Sequence, residues 1–294
     1  MFLRTDLAIE AHEISGENTK GIETEEKHCG NLKISRMNIR TQEAAECLNK
    51  PMGHYITVEG MPLTDNFREV PEQIEAISDE IRSLIPKSGT ILVVGLGNIS
   101  ITPDALGPKS ASMVLATRHI TGEIARSTGL DRLRPVAVIS PGVLGQTGIE
   151  TGELIMSLAK RLNPSVVIAI DALASRSLSR LGCTIQISDS GIFPGAGVGN
   201  NRLRLDKNTI GIPVIGIGVP TVVDATTLAT DLLADNDKTA SELRKVVSPN
   251  GEKMIVTPSE IDLLIKRASQ LIGMSVNCAI QTNFTLDDLF SLVS

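Results

Sequence analysis

Residues Thr90-Ile91-Leu92-Val93-Val94 form an unbroken apolar run closed by Gly95. A run of that length bounded by turn residues reads as a strand buried on both faces of a parallel sheet. Four further runs repeat the signal, at Val136–Ile139, Val166–Ile170, Thr184–Ile187 and Pro213–Ile217. Ahead of the first, Ile74, Ile77, Ile81, Leu84 and Ile85 recur at helical spacing between Pro71 and Pro86. Further helices are expected near Lys109–Thr121, Gly152–Leu162, Thr226–Ala234 and Ser259–Ile272. Strands alternating with helices predict an α/β fold, a mainly parallel sheet with helices on both faces. Ligands of such sheets bind in loops leaving the carboxyl ends of the strands. Those loops carry most of the glycines, at Gly95-Leu96-Gly97-Asn98, Gly142-Val143-Leu144-Gly145, Gly195-Ala196-Gly197-Val198-Gly199 and Gly216-Ile217-Gly218.

Residues 1–50 are polar, glycine-interrupted and acidic around Glu23, Glu25 and Glu26, and read as an irregular arm or small subdomain before a strand at Tyr55–Glu59. Catalysis is expected in 71–294 and the N-terminal subdomain in 7–70.

Composition excludes several classes of function. The 294 residues are 41% hydrophobic, enough for a sizeable core. With five Phe, one Tyr and no Trp, the chain lacks the stacking platforms of a single-stranded nucleic-acid binder. Its net charge of −6 is not that of a dedicated DNA-binding protein. Four scattered cysteines form no CxxC, which favours reduced, mostly buried thiols. No secretory signal or membrane span is expected, so the reading is a soluble, cytoplasmic protein.

GxSxG, HExxH and GxxxxGK[ST] are absent, and with them three common routes to hydrolysis or nucleotide binding. Ser100 stands where a dinucleotide fingerprint after Gly95-Leu96-Gly97 needs its third glycine. His12, His28, His54 and His119 show no ligand spacing, and His119 falls in an expected helix, so no metal or other cofactor is expected. Two aspartates stand out. Asp171 ends the run Val166–Ile170, and Asp104 lies in the loop after Val94. If their strands share a sheet, both carboxylates open on the same edge. Two close carboxyls share one proton and so supply an acid and a base together. The competing reading for each is a helix cap or loop-ordering acceptor. Asp224 is more plainly an N-cap. Arg176, following Asp171, is a candidate for holding substrate or for a surface ion pair.

Arg4-Thr5-Asp6-Leu7-Ala8-Ile9-Glu10-Ala11-His12-Glu13, Gly95–Asn98 with Thr102-Pro103-Asp104-Ala105-Leu106-Gly107-Pro108, Ser140–Gly148, Ile170-Asp171-Ala172-Leu173-Ala174-Ser175-Arg176 and Gly216–Asp224 occur in this order. Together they resemble the germination protease family of spore-forming bacteria. The resemblance implies an endopeptidase, described as an atypical aspartic-type protease, that initiates degradation of small acid-soluble spore proteins. It implies a homotetramer in the spore core, made as a zymogen that cuts its own N-terminus, with a fold similar to hydrogenase maturation proteases. It acts on proteins, with no direct contact with nucleic acid or membrane. The family's two essential aspartates fall on Asp104 and Asp171. Its cleavage sequence falls on Thr5–Glu10, which makes Asp6 and Leu7 the processing site and residues 1–6 a short propeptide. Two other readings stay open: a metal-dependent peptidase on the same fold, and a nucleotide-binding module using glycine-rich loops at helix N-termini.

Overall fold

The computed structural model describes residues 5–16, 19–193, 203–232 and 253–293, with 61, 64, 70 and 128 excepted and 247 in addition. The glycine-rich segment 195–199 and the end of the helix expected at Thr226–Ala234 lie outside the described residues.

Among the described residues, nine strands form one sheet. They are β1 (Ile22–Cys29), β2 (Leu32–Ile39), β3 (Gly53–Glu59), β4 (Ile91–Gly95), β5 (Val136–Ile139), β6 (Val166–Ser175), β7 (Thr184–Ser188), β8 (Val214–Asp224) and β9 (Ile255–Val256). The order is β1-β2-β3-β7-β8-β6-β4-β5, with β9 beside β8. The apolar runs supply the parallel strands β5, β4, β6 and β8. From β8 the sheet continues antiparallel through β7, β3, β2 and β1.

Alternation along the strands separates two cores. Ile91, Val93, Ile168, Ile170, Ile215 and Ile217 pack with Ile74, Ile77 and Ile81 of helix Pro71–Leu84 and with Ile265 and Ile272 of helix Ile261–Ile280. Leu92, Val94, Val167, Ala169 and Val214 face the other way, onto Ile155 and Ala159 of helix Thr151–Leu162. Helices therefore cover both faces of the parallel part, as the runs predict.

Two expectations are corrected. Residues 1–50 are regular where described: helix Ala8–Ser15, the β1–β2 hairpin and helix Gln42–Leu48. The acidic stretch is β1, whose Glu23, Glu25 and Glu26 pair across the hairpin with Arg40, Arg36 and Lys33 at 2.7, 3.5 and 2.6 Å. Cross-strand charge on an exposed edge hides the apolar alternation that usually announces a strand. The helix expected at Lys109–Thr121 is only Leu106–Ser112. Asn277 stops it: its amide donates to the Met113 carbonyl at 2.9 Å and its oxygen accepts from Leu115 N–H at 2.9 Å. His119 consequently lies in a turn.

Candidate active site

β6 runs beside β4 only as far as Ile170, which pairs with Gly95. Beyond that point β4 leaves the sheet, while β6 continues against β8 to Ser175. Asp171 is thus the first residue past the shared edge rather than the last of its strand, because β8 carries the ladder on. The chain leaving β4 turns through Thr102–Asp104 into helix Leu106–Ser112. A Cβ on Gly107 would lie 2.1 Å from the Leu96 carbonyl oxygen and 2.3 Å from that of Ile170. Only glycine lets the helix lie against both strand ends, which brings the Asp104 loop over β6.

Asp104 is oriented by its own loop: Asn98 N–H donates to its Oδ2 at 2.8 Å. The loop is tied to β8 by the Thr221 hydroxyl, which donates to the Pro103 carbonyl at 2.8 Å. Gly97 permits this fold-back. It has φ +114°, and a Cβ there would be 2.1 Å from the Asp104 carbonyl oxygen. Asp171 is buried, and its Oδ1 accepts from Ala172 N–H at 2.9 Å. Both aspartates line one cavity of about 260 Å³. Its wall includes the exposed apolar side chains Ile101, Leu203 and Ile255. A carboxyl pair in a cleft with an apolar rim suits an extended peptide and an attacking water. Asp224 is the N-cap the sequence predicts, accepting from Thr227 N–H at 2.8 Å.

The same cavity is lined by Asp6. Asp6 N–H donates to the Ala174 carbonyl and Ala174 N–H donates to Asp6 Oδ2, both at 2.8 Å. The next residue, Leu7, is fully buried and packs in the core that contains Leu173 and Leu205. Removing a leucine side chain from water contributes about 2–3 kcal/mol to holding the arm. Glu10 follows, 1% exposed. Its carboxylate accepts from Arg176 N–H at 2.7 Å, from Ser177 N–H at 2.9 Å and from the Thr5 hydroxyl, with the Arg180 guanidinium 3.6 Å away. The Lys50 ammonium donates to the Thr5 carbonyl at 2.9 Å. Burial pushes Lys50 below the ordinary lysine range, against the upward pull of Asp6 and Glu10.

Asp104, Asp171 and Asp6 therefore meet in one cleft, with Leu7 beside it. Arg176 is not among the residues lining the cavity; it meets the arm through its main-chain N–H. Lys50 and Gln186 have no signature in the sequence that marks them as partners of this segment. Among the described residues, no three His, Cys, Asp or Glu side chains gather as a metal-binding set.

The Glu13 carboxylate caps the arm helix's attachment, accepting from Arg180 at 2.6 and 2.8 Å. The Arg180 hydrogen bond holds Glu13 below its ordinary value of 4.5. A carboxyl lowered in the folded state stabilises above that ordinary value and ceases to do so as pH falls through the lowered one. Hydrogen exchange of Ala8–Ser15, corrected for intrinsic rates, should therefore lose protection on acidification below about pH 4.5 and change little above it. Because Glu13 is half exposed, solvent screening makes this a modest effect.

The germination protease family model matches residues 4–235. The chain belongs to the germination protease family. Germination protease from Clostridium tetani is 39% identical, with all of both chains covered. That from Priestia megaterium is 38% identical, covering 95% of this chain and 93% of its own. Among solved structures, the [NiFe] hydrogenase maturation protease HycI from Thermococcus kodakarensis is 17% identical with a TM-score of 0.37, covering 67% of this chain and 98% of its own. Family membership makes the chain a peptidase of spore germination, and among the described residues no helix is long and apolar enough to cross a membrane.

Proposed function

We propose that this germination protease family member is an endopeptidase that begins the breakdown of small acid-soluble spore proteins, using Asp104 and Asp171 as its catalytic pair. The observation that carries the reading is the single cavity lined by both aspartates and by Asp6. The pair holds one proton between its two carboxyls. The ionised member takes a proton from water as the water oxygen bonds to the peptide carbonyl carbon. The protonated member then gives its proton to the departing nitrogen as the carbon–nitrogen bond breaks. The chain is made as a zymogen that cuts between Asp6 and Leu7, residues 1–6 being the propeptide, 7–70 the N-terminal subdomain and 71–294 the catalytic part. The docked Thr5–Glu10 segment supports this, since its acidic Asp6 lines the cavity and is followed by the buried, apolar Leu7. Arg176 is the candidate for binding substrate near the cleft. The homotetramer and the spore core belong to the same reading.

Incubating the chain with a small acid-soluble spore protein and mapping fragments by mass spectrometry tests the proposal. Internal cuts between an acidic residue and a following apolar one are expected. Intact substrate, or cuts confined to its ends, would contradict an endopeptidase of this specificity.

A further inference from the structure

Gln186 lies on β7, and its side chain straddles the Asp6–Leu7 bond. Its Oε1 accepts from Ala8 N–H at 2.6 Å, and its Nε2 donates to the Asp6 carbonyl oxygen at 3.2 Å. The orientation of the amide follows from chemistry. Ala8 N–H can only donate, so the oxygen must face it and the NH₂ must face the carbonyl.

The sheet sets this geometry. Asp171 is in register with Gly218, and Gly218 with Gln186. Asp171 and Gln186 therefore stand at the same level two strands apart, roughly 10 Å between backbones. Both point to one face of the sheet. Val167, Ala169 and Leu173, two and four residues from Asp171, pack in the core that contains Leu7, whereas Ile185 and Ile187 on either side of Gln186 pack in the opposite core. Gln186 is buried, so its donor acts where water does not compete.

We infer that Gln186 is a catalytic residue that stabilises the oxyanion formed when the aspartate pair drives water onto the carbonyl. When the water oxygen bonds to the Asp6 carbon, the carbonyl π pair moves onto the oxygen that Nε2 already touches. A preset donor at that oxygen gains strength as charge develops. As the tetrahedral carbon collapses, the pair returns, the bond to Leu7 nitrogen breaks, and that nitrogen takes its proton from the aspartates. Oε1 meanwhile keeps the Ala8 side of the bond in place. A substrate in the same cleft would meet Gln186 in the same way. The inference rests on the proposed cut at Asp6–Leu7 by Asp104 and Asp171.

The full-length chain tests it through the rate of self-processing, followed by intact mass across pH. Gln186→Glu keeps the shape and the acceptor for Ala8 N–H but, when ionised, has no donor for the carbonyl. Its rate relative to the unaltered chain should fall about 10²–10³-fold at neutral pH. The ratio should recover as pH falls through the pKa of the introduced carboxyl, which burial raises above the ordinary glutamic acid value, because the protonated acid donates again. Gln186→Ala should be slow at every pH. A Gln186→Glu chain that processes at the unaltered rate, or is slow with no recovery in acid, overturns the inference; the latter marks a purely structural role. If the unaltered chain is cut at another bond, or an Asp104→Asn or Asp171→Asn chain processes normally, the underlying reading fails instead, and the Gln186 ratios reveal nothing about the pair.

Discussion

Replacing Asp104 or Asp171 by asparagine is expected to lower kcat on protein substrates about a thousandfold or more, with KM and folding little changed. Asparagine preserves the hydrogen bonds that orient each side chain. Its oxygen can still accept from Asn98 N–H at position 104 and from Ala172 N–H at position 171. What it cannot do is hold or release a proton, which a shared-proton pair requires of both members. A thousandfold loss corresponds to about 4 kcal/mol of transition-state stabilisation. Because catalytic groups that act as a unit are not additive, the double variant should be no slower than the worse single one by more than a small factor. Thermal unfolding of all three should stay within a few degrees of the unaltered chain. A variant that keeps near-full kcat would remove its aspartate from the mechanism.

The second large effect concerns a residue with no chemistry. Gly107→Ala places a methyl group 2.1 and 2.3 Å from two backbone carbonyl oxygens, those of Leu96 and Ile170. Neither is the end of a flexible side chain. Relief therefore requires helix Leu106–Ser112 to lift from the sheet or the strand ends to part. Overpacking of this kind costs about 3 kcal/mol or more, or a fall in Tm of roughly 6–10 °C for a chain of this size. Activity should fall beyond what stability accounts for, because the two carbonyls flank the approach of the Asp104 loop to Asp171. Gly145→Ala is the control. A Cβ there meets nothing within 4 Å, and its Tm should be unchanged within about 2 °C. Calorimetry and kcat on the two variants separate local crowding from a general intolerance of alanine. Equal stability of both would mean that the helix is not wedged between the strand ends.

The contrast between these residues shows what was legible in the sequence. Buried parallel strands have no solvated face, so β4, β6 and β8 are written as continuous apolar runs that need no structure to find. Asp171 interrupts such a run with a carboxylate, and Asp104 lies in the loop that follows another. One rule about strand ends brought both to the same edge. The N-terminal hairpin escaped because its outer strand trades apolar alternation for cross-strand charge. Gln186 escaped for a related reason. In Thr184-Ile185-Gln186-Ile187-Ser188 the polar positions alternate, which reads as a face turned to water. At Gln186 the face is instead met by Asp6 and Ala8, residues nearly 180 positions away. Long-range coverage of a polar face leaves no local trace, and neither does Glu10 docking on two main-chain N–H groups, since every residue but proline carries one.

The central claim is that Asp104 and Asp171 cut the bond that Asp6 brings into their cleft. Intact-mass analysis of the purified chain during self-processing, with the two asparagine variants in parallel, tests it most directly. The unaltered chain should convert to a product beginning at Leu7, while Asp104→Asn and Asp171→Asn stay uncut over the same period. Trimming of either variant alone at the unaltered rate, or a product beginning elsewhere than Leu7, would contradict the account.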